Sequence, residues 1–241
     1  YMIDKGFIYC IPPFMIRSDV LTGVMSFEEM DAMMYKIDGE DLYLIGTSEH
    51  SMIGKFKDEI IANDKLPITL TSYSPCFRKE VGAHGIEERG IYRIHQFEKQ
   101  EMVVICKPED SDNWYNKMWN YSVELFRSLN IPVRKLVCCS GDLADLKYRS
   151  CDIEAWSPRQ KTYFEACSCS NLTDAQARRL GIRIKGEKGN YFAHTLNNTV
   201  IAPPRMLIAF LENNYNEDGS INIPEILRPY MGGIEKIIPK K

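Results

Sequence analysis

The sequence predicts an α+β fold, a largely antiparallel sheet flanked by helices. Three observations point there. Strand-like segments, rich in β-branched and aromatic residues, come in runs. Helical segments are fewer and sit between them. The 241 residues hold no internal repeat, low-complexity stretch or Ser/Gly linker. The punctuation is local, at Pro12-Pro13, Pro67, Pro75, Pro132, Pro203-Pro204 and Gly232-Gly233.

In chain order, residues 7–11 and 41–45 read as short strands. Residues 48–60 carry Met52, Phe56 and Ile60 four apart, the spacing of one helix face. Residues 68–78 and 91–106 are longer strands. Asp110 or Ser111 then caps a helix in which Trp114, Met118, Tyr121, Leu125 and Leu129 fall at helical spacing, a core-packing stripe rather than a binding one. Strands follow at 133–139, 150–156 and 163–168. Thr173-Asp174 opens a short helix through Arg179, and a last helix, 205–214, starts after the double proline.

Hydrophobic residues make up 44% and charged residues 26%, which excludes disordered and fibrous classes. The net charge of −3 excludes a chain that is basic throughout and coats nucleic acid, though not a local basic patch. No apolar run approaches the roughly 20 residues that span a bilayer, so a soluble protein without a membrane partner is expected. Eight cysteines follow no apolar leader, and in a chain with this much core they read as reduced thiols in a cytoplasm. Cys167-x-Cys169 and Cys138-Cys139 lack zinc-ligand spacing, and none of the four His stands beside them, so no zinc is expected. The chain starts at Tyr1 rather than Met, and residues 1–6 read like the tail of a helix, which suggests a missing front end.

The richest stretch is 76–104. Two strand-like arms flank a Gly-rich polar loop, 81–90, as in a hairpin with a long connection. Side chains two apart share a face, so Arg78 aligns with Glu80 on the first arm, and Arg93, His95, Phe97, Lys99 and Glu101 align on the second. At about 3.3 Å per residue, the second row spans roughly 26 Å. A structural strand shows an apolar face; this one shows cations, a ring and a terminal carboxylate. The set suits an extended ligand with phosphates, a base and an amine, because arginine grips phosphate or carboxylate oxygens with a bidentate fork. The plain alternative is a solvent-exposed hairpin of mixed charge.

This hairpin resembles motif 2 of the class II aminoacyl-tRNA synthetases, the seryl-specific family in particular. The resemblance rests on Phe77-Arg78-Lys79-Glu80, Gly82, Gly85, Arg89-Gly90 and Arg93-Ile94-His95-Gln96-Phe97-Glu98-Lys99. It continues in Thr47-Ser48-Glu49, similar to a serine-loop Thr-x-Glu. Further matches are Phe164-Glu165-Ala166-Cys167-Ser168-Cys169-Ser170 with Asp174 and Gln176-Ala177-Arg178-Arg179. His194-Thr195-Leu196-Asn197-Asn198-Thr199 with Pro204-Arg205 and Leu211-Glu212-Asn213 is similar to motif 3. Pro229-Tyr230-Met231-Gly232-Gly233 fits the family's tail. Ordered motifs over almost the whole chain are far more specific than one alone.

The resemblance implies a class II synthetase catalytic domain over 1–241. The coiled-coil arm and the start of motif 1 are absent from it; only the end of motif 1 is seen, from Gly6-Phe7 to Pro12-Pro13. It implies activation of L-serine with ATP to seryl-adenylate, then transfer to the 3′-end of tRNA(Ser), by a homodimer. Arg78 would bridge the serine carboxylate and the α-phosphate, and Arg205, at a helix start, would reach the γ-phosphate. Phe97 would stack on adenine. Lys79, Glu80, Arg93, Ile94, Ala166 and Cys167 would complete the ATP site, with Glu165 and Ser168 holding Mg²⁺ on the phosphates. Thr47, Glu49, Arg78, Glu101, Asn197 and Thr199 would bind serine, whose hydroxyl such a pocket reads.

Seen alone, several of these residues have plainer readings. Thr47-Ser48-Glu49 reads as a helix cap, Arg205 as a surface residue, and Asn197-Asn198-Thr199 as a turn. His84 reads as a loop or tRNA contact, and His95 and His194 as structural. Two competitors to the enzyme are a paralogue charging a carrier other than tRNA and a non-catalytic paralogue. The second should have lost Arg78, Glu101, Glu165 or Arg205, and all four are present.

Overall fold

The computed structural model describes residues 1–80 and 90–240. The elements run β1 (Ile8–Tyr9), β2 (Met15–Ile16), α1 (Ser18–Val24), α2 (Phe27–Met33), β3 (Tyr43–Leu44), α3 (Ser48–Gly54), β4 (Ile60–Ile61), β5 (Ile68–Phe77) and β6 (Gln96–Cys106). Then come α4 (Ser111–Ser128), β7 (Val133–Val137), β8 (Arg149–Ser157), β9 (Thr162–Asn171), α5 (Ala175–Leu180), β10 (Arg183–Ile184), β11 (Tyr191–Phe192), β12 (His194–Ile201), α6 (Pro203–Asn214), β13 (Ile221–Asn222) and β14 (Lys236–Ile237).

A seven-stranded sheet in the order β1-β5-β6-β12-β9-β8-β7 dominates the fold. Every neighbouring pair in it is antiparallel except β1 with β5. The α+β class with a largely antiparallel sheet therefore stands as the sequence predicts. Alternation along β6 explains the layering. Met102, Val104 and Cys106 point to one face, where Tyr115 and Met118 of α4 cover them. Val103 and Ile105 point to the other, where Leu21 of α1, Met52 and Ile53 of α3 and Leu180 of α5 close a second core. Burying a side chain the size of Met118 contributes about 1.5–3 kcal/mol, and this one is fully buried. Trp114 and Trp119 pack against the same cluster, as expected for a core stripe.

The α1 helix lies against α3 and α5 because two glycines let it. A Cβ on Gly23 would meet Leu180 at 2.2 Å, and one on Gly54 would meet Val20 at 2.4 Å. This packing stacks α1, α3 and α5 on the sheet face where the polar ends of β6 and β12 emerge.

Several elements differ from expectation. Residues 194–201 form the buried strand at the centre of the sheet rather than a turn, and Asn198 pairs there with Met102. Its buried Nδ2 donates to Met118 O at 2.8 Å and Ser122 Oγ at 2.9 Å, so α4 satisfies the donor end of an amide inside the core. The second hairpin arm starts at Gln96, so Arg93 and His95 precede the strand and only Phe97, Lys99 and Glu101 keep the common face. That row spans about 13 Å. The helix expected over 48–60 stops at Gly54, and its end carries β4 instead. The last helix takes both prolines into its first turn, where their missing N–H groups do no harm. The helices α1 and α2 were not expected. The second is set by a capping box, with Ser26 Oγ accepting from Glu29 N and Glu29 Oε2 from Ser26 N. Residues 2–6 form turns.

Candidate active site

The ends of β6, β9 and β12 and the starts of α3 and α6 enclose a cleft of about 360 Å³. Phe97, Lys99 and Glu101 of β6 floor it. On β12, Asn197 and Thr199 follow the same alternation, Thr199 lying directly opposite Glu101. On β9 alternation alone would put Glu165 and Ser168 on opposite faces. The register with β8 steps from Ile153–Cys167 to Glu154–Glu165, leaving Ala166 as a bulge residue, and both side chains line the cleft.

At the inner end, Lys99 Nζ meets Glu101 Oε2 at 2.7 Å, the two side chains being 9% and 2% exposed. Thr47 Oγ1 and Thr199 Oγ1 each donate to the same oxygen at 3.4 Å. Thr47 Oγ1 also accepts from Glu49 N, so the helix-cap reading and the pocket reading both hold. Burial first, and the charge of Glu101 second, push the Glu49 carboxyl above its usual range, opposed by a hydrogen bond from Gln176. His50 sits beside them, its Nδ1 without a protein partner. Burial, then Arg78 and Lys99, hold that imidazole down to about 3, so it is neutral.

Arg78 follows β5. Its Nε donates to Gly46 O at 3.0 Å and its guanidinium lies 5.5 Å from the Phe97 ring centre. At the other end Arg93 pairs with Glu80 at 2.6 Å. Arg205 pairs with Glu165 Oε2 at 3.1 Å and lies 4.7 Å over the Tyr92 ring. At 20% side-chain exposure, and held by a carboxylate and a ring, Arg205 is no surface residue.

The expected residues Thr47, Glu49, Arg78, Glu80, Arg93, Ile94, Phe97, Glu101, Glu165, Ala166, Cys167, Ser168, Asn197, Thr199 and Arg205 all line this one cleft. Lys79 does not: its Nζ donates to Asp31 O at 3.0 Å. Cys167 donates to Val200 O, and burial followed by the charges of Glu101 and Glu165 pushes its thiol up, favouring the neutral thiol. His95 hydrogen-bonds with Tyr35 outside the cleft. Gly82, His84, Gly85 and Arg89 lie outside the described residues.

Sequence reasoning missed His50, Tyr92, Ser170 and Lys147, which also line the cleft. His50 carried a signal as the neighbour of Glu49 in the first turn of a capped helix, and Ser170 as the end of the 164–170 match. Among the described residues all eight cysteines are free, no three His, Cys, Asp or Glu side chains gather as a metal cage, and no helix is long and apolar enough to cross a membrane.

This constellation gives an extended cleft with a stacking ring, a row of arginines and a closed polar pocket. Residues 33–214 match the tRNA synthetase class II core domain (G, H, P, S and T). The chain belongs to that family. Among its relatives, the serine–tRNA ligase of Thermococcus sibiricus is 46% identical over 240 residues, covering 99% of this chain and 52% of the relative. That of Methanospirillum hungatei is 44% identical over 237 residues, covering 97% and 56%. Among solved class II structures, the seryl-tRNA synthetase of Pyrococcus horikoshii complexed with ATP superimposes at a TM-score of 0.96 with 44% identity, over 100% of this chain and 54% of that one. The cytoplasmic serine–tRNA ligase of Naegleria fowleri in complex with AMP superimposes at 0.92 with 37% identity, over 100% and 57%. The chain thus spans about half the length of the relatives it matches.

Proposed function

We propose that residues 1–241 act as the catalytic domain of a serine–tRNA ligase. It activates L-serine with ATP and passes the seryl group to the 3′-end of tRNA(Ser), working in the cytoplasm as part of a homodimer. One observation carries the reading: Arg78, 5.5 Å from the Phe97 ring and bonded to the Gly46 carbonyl just before Thr47, lines the same cleft as Thr47, Glu101 and Thr199. A guanidinium there can hold the serine carboxylate against the α-phosphate, so an oxygen of the carboxylate attacks phosphorus in line and pyrophosphate leaves.

Each group then has a part. Phe97 offers its ring to adenine, with Glu80 and the backbone at Ile94 beside it. Arg93 and Arg205 neutralise charge on the polyphosphate, Arg205 at the γ end. Glu49 and Glu101 accept from the serine ammonium or hydroxyl, with Asn197 and Thr199 completing the pocket. Such a pocket rejects alanine, because its buried polar groups would be left unpaired. Glu165 and Ser168 are hard oxygen donors that both line the cleft, a set that would hold Mg²⁺ shared with phosphate oxygens. When bound, the ion supplies charge neutralisation on the phosphates.

The test is amino-acid-dependent pyrophosphate exchange across serine, threonine, alanine and glycine. Exchange driven by serine well above the others is expected. A flat response, or one led by another amino acid, overturns the assignment.

A further inference from the structure

We propose that Gln176 is a positioning residue, whose buried amide fixes the Glu49 carboxylate and so sets the affinity and hydroxyl selectivity of the amino-acid pocket. This deepens the serine reading and rests on it.

Gln176 is fully buried in the first turn of α5 and does not line the cleft. Its neighbours Ala177 and Leu180 belong to an apolar core, where an amide is costly unless every bond is made. Here every group is used. Nε2 donates to Val24 O at 3.2 Å and to Glu49 Oε1 at 2.8 Å, and Oε1 accepts from Thr195 Oγ1 at 2.6 Å. A backbone carbonyl can only accept, so Val24 fixes which end of the amide faces Glu49. Thr195 shares the β12 face of Asn197 and Thr199. One side chain therefore ties the end of α1, the start of α3 and the cleft face of β12 to a single carboxylate oxygen.

Glu49 needs such a clamp. Glu101 confronts it as a like charge, while Lys99 and Lys147 pull on it from β6 and from the 140–148 loop. With Oε1 held, the Glu49 carboxylate keeps one setting at the cleft it lines. Without the clamp Glu49 turns between these charges or takes a proton, and the pocket loses a placed acceptor.

The experiment is serine- and alanine-dependent pyrophosphate exchange by the parent chain and by Gln176→Met and Gln176→Glu, with KM measured for amino acid and for ATP. A hydrogen bond to a charged group is worth a factor of roughly ten or more, so Gln176→Met should raise the serine KM about tenfold. The ATP KM should stay within about twofold, and the serine-over-alanine preference should fall. Gln176→Glu, which sets a third carboxylate against Glu49, should raise the serine KM further. If Gln176→Met fails to fold, Thr195→Val removes only the hydroxyl on Gln176 Oε1 and should give the same split in smaller degree. An unchanged serine KM in a folded variant, or an equal rise in both KM values, overturns the inference alone. A parent chain without exchange for any amino acid overturns the reading of the reaction, and the inference with it.

Discussion

Lys99 and Glu101 meet at the inner end of the cleft with side chains 9% and 2% exposed, whereas Arg205 and Glu165 meet at the other end with 20% and 44% exposed. The bonds are similar in length and opposite in consequence. A buried pair cannot lose one partner without stranding a charge in a poorly solvated place. A half-exposed pair is worth little by itself, and either partner can exchange the other for a new ligand. The inner end is therefore fixed in advance, as the proposed amino-acid pocket requires. At the outer end Arg93 and Arg205 pair with Glu80 and Glu165; on the proposed reading, phosphate oxygens take their place.

Arg78 stands between the two ends, so it breaks the comparison most sharply. Arg78→Ala should lower kcat/KM for exchange by about 10²–10³, the scale of losing one group that stabilises transition-state charge. Its melting temperature should stay close to the parent's. Exchange near the parent level would remove Arg78 from the bridge between carboxylate and phosphate.

Glu101→Gln and Glu165→Gln then test the two ends against each other. Loss of the Glu101 charge strands Lys99 and should cost roughly 3 kcal/mol in denaturant unfolding. Loss of the Glu165 charge should cost under about 1 kcal/mol. Activity should divide the other way, with the serine KM rising in the first variant and the ATP KM in the second. Equal stability losses would mean that the inner pair is no more locked than the outer.

His50 sharpens the account of the inner end through pH. Its imidazole is held from an ordinary value of 6.5 down to about 3. Between those values the unfolded chain binds a proton that the folded chain refuses. The stability tied to His50 is thus whole above about 6.5 and drains away as pH falls toward 3, at up to about 1.4 kcal/mol per pH unit. His50→Gln should remove this dependence, so that the variant loses about 2 kcal/mol less than the parent between pH 7 and pH 5. Parallel acid unfolding curves would show that His50 is protonated in the folded protein.

The two ends also differ in how far the sequence announced them. Phe97, Lys99 and Glu101 were legible because strand alternation is a local rule and they obey it. Arg93 was placed on the same row wrongly, since nothing local marks Gln96 as the first paired residue. Glu165 and Ser168 share the cleft only through the bulge at Ala166, which exists in the pairing with β8 and not in either strand's own sequence. The central strand β12 was hidden by its asparagines: Asn198 Nδ2 finds acceptors on α4, some eighty residues earlier in the chain. The helix α2 buries none of its residues fully, though Met30 and Met33 pack on the core, and the signal that could have found it was Ser26-x-x-Glu29. Local periodicity found the longer strands and α4 but overran at 48–60, where β4 takes the end of the expected helix; what a distant element permits was not readable at all.

The smallest expected effect belongs to Lys79, the one predicted ATP contact outside the cleft. Its Nζ is spent on Asp31 O at an exposed position and its backbone N on Met33 O, so the side chain serves the α2 junction. Lys79→Ala should change stability by less than about 0.5 kcal/mol, as most surface substitutions do. It should leave the ATP KM within about twofold, whereas Arg93→Ala, which removes a cation from the cleft, should raise it. A tenfold rise for Lys79→Ala would show that this side chain leaves Asp31 and swings to the phosphates when nucleotide binds. The outer end would then hold one more parked cation, and the contrast with the locked inner pair would widen.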